Sequence, residues 1–386
     1  MRTRSAVTLV VLLGALLAAA AAGAASEPPP VRAKQALVVD ARSGDVLYAL
    51  DADRRMPMAS ITKLMTALVT LEHARPGELV TVSPRAVGRG GSSIFLAAGE
   101  QLRVRDLLAA ALVQSANDAA FALAAHVGEG SVSRFVRLMN EKAAELGLED
   151  TRYTRPDGLD DPGHYSSAED SVALARVAMR QPLIRQLART KTTTIPPNRR
   201  LRNWNDLLWT FRGMRGVKTG HTDRAGWSQV ALARRGRTAL FAAILGSPAR
   251  ARRNDDLAAL LEWGFDRYVR FTLVREGERY ATAAIPFRED RVELVAAAGA
   301  SQVVRLGDGS QFVERVVAPA MVELPVRRGQ ALGEVVVLED GEEVARVDLV
   351  AARDVEAPSF RERAGWYADR ALDEAGDLLA AALPGI

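Results

Sequence analysis

Cysteine does not occur in the 386 residues. Its absence excludes disulfides, thiolate metal sites and a cysteine nucleophile. Histidine occurs four times, at His73, His126, His164 and His221, with no paired ligand spacing, so no metal centre is expected. Lysine is almost missing. Of 51 basic residues only Lys34, Lys63, Lys142, Lys191 and Lys218 are Lys, and the rest are Arg. A guanidinium keeps its proton in proteins, whereas an ammonium in a suitable pocket can lose it. Each retained lysine is therefore a place where an amine itself can be required. Long runs of one charge sign are also lacking, because the arginines are interleaved with acids. The net charge of +4 falls to +2 once Arg2 and Arg4 are set aside as part of a leader. Despite a pI of about 9.5, no nucleic-acid partner is expected. What remains is 48% hydrophobic and 25% charged, the composition of a chain that packs a core.

The N-terminus has the grammar of an export signal. Arg2 and Arg4 precede an apolar stretch over residues 6–22, small residues follow at Ala22-Gly23-Ala24-Ala25, and Pro28-Pro29-Pro30 breaks any helix. This predicts a signal peptide over residues 1–25, cleaved near Ala24 or Ala25, and an exported protein. The apolar run approaches spanning length, so an uncleaved anchor is the other reading. Beyond it, residues 35–40 and 45–50 read as a hairpin around Ser43-Gly44, and residues 58–72 as a helix with Ile61, Leu64, Leu68 and Leu71 on one face. Helical patterns dominate residues 105–126, 132–146 and 167–181. Strand-like runs return at 216–219, 228–234 and 238–245, and residues 255–270 read as a helix. The order predicts an α/β (α+β) domain over residues 33–270, an antiparallel sheet with strands from both ends of the domain and helices inserted between them. Residues 271–355 alternate strand-like runs with turns, including a hairpin at Asp340-Gly341, and predict a small all-β domain. Residues 359–384 form an amphipathic pattern, with Phe360, Tyr367, Leu372 and Leu379 on one face and mostly acidic residues on the other. A membrane surface or the protein itself could cover that apolar face.

Three short motifs carry chemistry. Ser60-Ile61-Thr62-Lys63 places a lysine one helical turn from a serine, so that the amine can take the hydroxyl proton and make Ser60 a nucleophile. Burial or a neighbouring cation would lower the lysine pKa enough for that task. Ser115-Ala116-Asn117 follows an apolar run, and Lys218-Thr219-Gly220-His221 lies in a strand context. Each alone is weak. In this order they match the Ser-x-x-Lys, Ser-x-Asn and Lys-Thr-Gly signature of penicillin-recognising enzymes.

The resemblance extends past the triplet. Pro57-Met58-Ala59-Ser60 through Thr66, Gln114-Ser115-Ala116-Asn117-Asp118, Gly158-Leu159-Asp160, Asn203-Trp204-Asn205-Asp206 and Gly216-Val217-Lys218-Thr219-Gly220-His221-Thr222 resemble the S11 peptidases. These are low-molecular-mass penicillin-binding proteins, serine D-alanyl-D-alanine carboxypeptidases with a transpeptidase-like catalytic fold. The resemblance implies removal of the terminal D-alanine from peptidoglycan stem pentapeptides, and covalent trapping by β-lactams. It implies Ser60 as nucleophile, Lys63 as base and Ser115 as proton carrier toward the leaving amine. It gives Asn117 a role in holding Lys63 and the substrate amide, and Lys218 one in raising the local positive potential. Thr219 would bind the terminal carboxylate. Gly220 would permit close approach, and the N–H groups of Ser60 and His221 would form an oxyanion hole. No cofactor is implied. The enzyme would act outside the cytoplasm, the tail helix being a candidate contact with the membrane.

Three alternatives share the motifs. A β-lactamase needs a deacylating Glu in a Glu-x-x-Leu-Asn context, which the chain lacks between its second and third motifs. A DD-endopeptidase of the same family usually has no C-terminal β domain. A penicillin-binding sensor or scaffold would not need all three motifs intact.

Overall fold

The computed structural model describes residues 6–12, 27–306 and 310–382. The chain divides into a unit over residues 26–266 and a second over residues 267–386 that also takes in residues 1–25. Most of the expected signal peptide lies outside the described residues. The described part of its apolar stretch, Ala6–Leu12 (β1), is an edge strand of the second unit.

In the first unit the early hairpin is Gln35–Asp40 (β2) and Val46–Leu50 (β3). Met214–Thr222 (β8), Gly226–Arg235 (β9) and Thr238–Ser247 (β10) complete an antiparallel sheet in the order β3-β2-β10-β9-β8. The sheet therefore joins strands from both ends of the unit, as the sequence predicts. β2 and β10 are central and almost wholly buried, which is why both are continuous apolar runs without polar alternation. Arg250–Asp266 packs on β10 through Leu257, Leu260 and Leu261. This helix starts earlier than expected and ends at Asp266, and residues 268–274 form a strand instead of its last turn.

Lys63–His73 (α1) is buried from Lys63 through Thr70. A helix apolar around its circumference belongs in a core, and this one is enclosed by helices Asn117–Val127, Val132–Glu145 and Ala168–Ala178. The predicted helix over residues 58–72 begins with a 3₁₀ turn, Ala59–Thr62, and becomes α-helical at Lys63. The helical pattern over 105–126 is broken where the second motif lies. Val104–Ala109 passes into a π turn over Ala110–Gln114, Ser115 takes a left-handed conformation at φ 64°, and Asn117 begins a new helix. A single helix would spread Ser115 and Asn117 around its circumference. The break instead turns both toward the sheet.

The second unit is all β except for its terminal helix. Its main sheet runs β1-β15-β16-β17-β13-β12, where β12 is Arg279–Ala284, β13 Arg291–Ala296, β15 Phe312–Pro319, β16 Ala331–Glu339 and β17 Glu342–Ala351. Phe312, Val335, Val337, Leu294 and Leu349 form its own core. The Asp340-Gly341 hairpin pairs Glu339 with Glu342, with Asp340 at φ 49° and Gly341 at φ 91°. The tail is the helix Phe360–Ala382. Trp366 and Tyr367 meet Phe287 edge-on, while Phe360, Tyr367 and Leu372 stay exposed. No helix among the described residues is long and apolar enough to cross a membrane.

Candidate active site

The three motifs converge on a cleft of about 210 Å³ lined by Ser60, Ser115, Asn117, Thr219, Gly220 and His221, among others. The Ser60 turn approaches strand β8 at Gly220, where a Cβ would lie 2.9 Å from the Ser60 nitrogen and 3.0 Å from the Met58 carbonyl. Only glycine leaves room for that contact, which sets Ser60 beside the strand.

Lys63 is fully buried at the start of α1. Its Nζ lies 2.7 Å from Ser60 Oγ, 2.6 Å from Asn117 Oδ1 and 2.6 Å from the Asp157 carbonyl oxygen. The Asn117 amide is oriented by its Nδ2, which donates to the Gly90 carbonyl at 2.5 Å. Burial lowers the Lys63 pKa from 10.5 to about 7, with the Asp157 carboxylate opposing and the Arg155 cation reinforcing the shift. The ammonium thus loses its proton as pH rises through about 7. A neutral amine has two N–H groups and one lone pair. Asn117 Oδ1 and the Asp157 carbonyl can only accept, so they take both N–H groups. The lone pair is left facing the Ser60 hydroxyl, the direction a general base requires.

Lys218, also buried, donates to Ser115 Oγ and to the Thr219 carbonyl, both at 2.9 Å. Burial pushes its pKa well below the ordinary range, and the positive charges of Lys63 and Arg253 push it further. Serines and lysines are therefore joined in two hydrogen-bonded pairs, Lys63 with Ser60 and Lys218 with Ser115, across one cleft, with Asn117 bonded to Lys63.

Several residues that motif reading leaves unassigned complete the site. Asp157 and His164 lie in a Gly/Pro/Asp-rich loop, and the fold brings both to the Ser60 turn, against Lys63 and Thr62. The Asp157 carboxylate is turned to Arg155, whose Nε donates at 2.5 Å, so it is its carbonyl that meets Lys63. Thr154 N–H donates to His164 Nδ1 at 3.1 Å. The proton of this imidazole is then on Nε2, which donates to Thr62 Oγ1 at 2.8 Å, and Thr62 donates to the Ala59 carbonyl at 2.8 Å. Burial lowers the His164 pKa to about 4, so the ring stays neutral in this role. The chain of bonds fixes Ala59, which is held at φ 52° immediately before Ser60.

Gly90-Gly91, which reads as a plain flexible loop, borders the cleft and holds Asn117. Trp204 sits on the rim and donates from Nε1 to the Gln114 carbonyl at 2.8 Å. Arg250 and Arg253 also line the cleft. Asp206 grips Arg250 with both carboxylate oxygens, at 2.6 and 2.8 Å, and Asn254 Oδ1 accepts from Arg253. Two buried amines and two guanidiniums suit a ligand that carries a carboxylate.

The profile of the D-alanyl-D-alanine carboxypeptidase family matches residues 22–249, and that of the penicillin-binding protein 5 C-terminal domain matches residues 268–357. D-alanyl-D-alanine carboxypeptidase DacF of Bacillus subtilis is 31% identical over 339 residues, 85% of this chain and 87% of the relative. DacA of Haemophilus influenzae is 32% identical over 350 residues, 87% and 88% of the two chains. The crystal structure of penicillin-binding protein 5 from Haemophilus influenzae superposes with a TM-score of 0.62 at 31% identity, over 86% of this chain and all of that one. The Streptomyces K15 DD-transpeptidase gives 0.59 at 30% identity, over 62% of this chain and 99% of that one.

Gly158 supplies a test of this arrangement. It has φ 84°, and a Cβ there would fall 2.0 Å from the Ala59 carbonyl oxygen. Gly158→Ala should cost about 2 kcal/mol or more in urea unfolding and slow penicillin acylation at least about tenfold, because the backbone before Ser60 must move. Gly77→Ala, at an open position without positive φ, should do neither. Equal behaviour of the two variants would contradict a packed nucleophile turn. Two profile matches that together span both units, and relatives aligned over most of their own length, lead to one conclusion: the chain belongs to the D-alanyl-D-alanine carboxypeptidase family of serine peptidases.

Proposed function

We propose that the chain is a serine DD-carboxypeptidase that removes the terminal D-alanine of peptidoglycan stem pentapeptides. The observation that carries this reading is the Lys63 amine 2.7 Å from Ser60 Oγ, with its other two hydrogen-bonding directions taken by Asn117 and Asp157. Neutral Lys63 takes the proton of Ser60 as Oγ attacks the carbonyl carbon of the penultimate D-alanine. The oxyanion that forms is received by the N–H groups of Ser60 and His221, an arrangement in which one donor is worth roughly 3–4 kcal/mol in related chemistry. Ser115, backed by Lys218, passes a proton to the nitrogen of the leaving D-alanine and is resupplied with the proton that Lys63 took from Ser60, which returns Lys63 to its neutral form. The C–N bond breaks, free D-alanine departs and an ester remains on Ser60. Lys63 then activates a water that cleaves the ester, so the sum is one peptide bond and one water converted to acid and amine.

Binding follows from the same groups. The substrate's terminal carboxylate accepts from the Thr219 hydroxyl in the positive field of Arg253 and Arg250, and Asn117 holds the substrate amide. A β-lactam enters as the same amide. Its leaving nitrogen stays tethered by the ring, so the acyl-enzyme persists. The site acts outside the cytoplasm after removal of residues 1–25. The exposed apolar residues of the tail helix, Phe360 and Leu372, associate peripherally with the membrane surface.

Two experiments test this reading. A stem pentapeptide incubated with the enzyme should lose the mass of one D-alanine, and fluorescent penicillin should label the protein stoichiometrically. Ser60→Ala should abolish both, and Lys63→Arg should slow acylation by at least about a thousandfold, since it keeps the charge and loses the base. Persistent labelling of Ser60→Ala would refute the assignment. Deletion of residues 359–386 should release the protein from membranes with its acylation rate unchanged, and unaltered fractionation would exclude anchoring by the tail.

A further inference from the structure

The arginines that are scattered in sequence are gathered by the fold of the first unit. A groove of about 620 Å³ is lined by Arg176, Arg180, Arg185, Arg189, Arg215 and Arg234. It shares no residue with the catalytic cleft. Arg215 is the second residue of strand β8, and Thr219 of the cleft lies four residues further along it, about 13 Å at the usual rise of a strand. The floor is apolar, with Met179 and Phe241 buried beneath. No Asp or Glu lines the groove.

The absence of acidic partners sets this group apart. Elsewhere arginines find carboxylates, as in Arg55–Asp150, Arg155–Asp157, Arg199–Glu100 and Arg250–Asp206. Among the described residues none of the six groove arginines makes an ion pair. Arg185 donates to the Met179 carbonyl at 3.3 Å and Arg234 to the Gly236 carbonyl at 3.0 Å, which leaves most of their N–H groups unused. Six like charges drawn together without counter-charges repel one another, and a bound anion removes that cost.

Their arrangement is in pairs. Arg176 lies in the last turn of helix Ala168–Ala178 and Arg180 two residues beyond its end, and Arg185 and Arg189 stand one turn apart on helix Pro182–Arg189. Arg215 and Arg234 lie on neighbouring strands, at the register shift where Met214 pairs with Ala233. One guanidinium fork satisfies the two coplanar oxygens of a carboxylate, whereas the two non-bridging oxygens of each phosphate in a chain lie on a tetrahedral centre and can be approached by two forks from different sides. Three arginine pairs around a concave groove therefore fit a chain of phosphates better than single carboxylates, and better than a flat lipid surface.

We propose that this groove binds a linear phosphate-bearing chain with about three phosphate groups engaged, one per arginine pair. The site is separate from the peptidase cleft and holds the enzyme on a polyanion without occupying its active site.

Isothermal titration of the full chain with inorganic tripolyphosphate tests the proposal. At low salt, binding with a Kd of about 100 µM or tighter is expected, weakening at least about tenfold as ionic strength rises. Arg185→Glu/Arg189→Glu should weaken it at least about tenfold again, with the penicillin acylation rate and the melting temperature retained. Should that variant fold poorly, Arg215→Glu alone serves, and a severalfold loss is expected. The tricarboxylate tricarballylate should bind at least about tenfold more weakly than tripolyphosphate. Undiminished binding by the charge-reversed variants, or equal affinity for tricarballylate, would overturn the proposal. So would binding to phosphatidylglycerol vesicles with none to tripolyphosphate, which would favour a lipid surface.

Discussion

Two lysine amines are buried in one cleft, and neither has a carboxylate within ion-pair distance among the described residues. An isolated ammonium in such a place is costly, and the protein meets the cost by letting the amine lose its proton more easily. Much of the catalytic unit serves that constraint. Helix α1, buried from Lys63 through Thr70, carries the Lys63 side chain into the interior. Arg155 draws the Asp157 carboxylate aside, so that Lys63 meets a neutral carbonyl and not an anion that would restore its charge. The broken helix at Ser115 delivers Asn117 to one amine and Ser115 to the other.

The same constraint explains why lysine is kept at two positions of a chain so poor in it. Arginine meets most generic needs for positive charge, including the groove and most of the ion pairs, although Lys142 pairs with Glu72 and Glu145. Arginine cannot replace Lys63, because no pocket of this kind removes its proton. Arg253 marks the limit: burial lowers its pKa only to about 10, so it remains a cation beside Lys218 and serves as fixed charge.

The parts legible in the sequence are those written locally. Ser60 and Lys63 are three residues apart, the hairpin at Asp340-Gly341 has its turn residues side by side, and the β2 and β10 runs declare buried strands. Helix 105–126 is instructive in its failure. Its apolar periodicity is real, but the left-handed Ser115 interrupts it, and a serine has no composition signal for that conformation. Asp157 and His164 could not be placed because their partners, Lys63 and Thr62, lie about a hundred residues away and bind a carbonyl and a ring nitrogen. Arg253 looked like one of many arginines until helix Arg250–Asp266 carried it to the cleft. The groove arginines were hidden for the same reason, since interleaving with acids along the chain says nothing about which side chains the fold gathers.

With a pKa of about 7, Lys63 is a neutral amine in a useful fraction of molecules near neutral pH. With only five lysines, the protein is suited to direct observation by NMR of lysine labelled with carbon-13 and nitrogen-15 at the side-chain terminus. The Lys63 signal is assigned as the one lost in Lys63→Arg, and its shift is followed as a function of pH. A midpoint of about 7 is expected. A midpoint near the ordinary 10.5 would leave Ser60 without a neutral amine to take its proton and would refute the role proposed for Lys63.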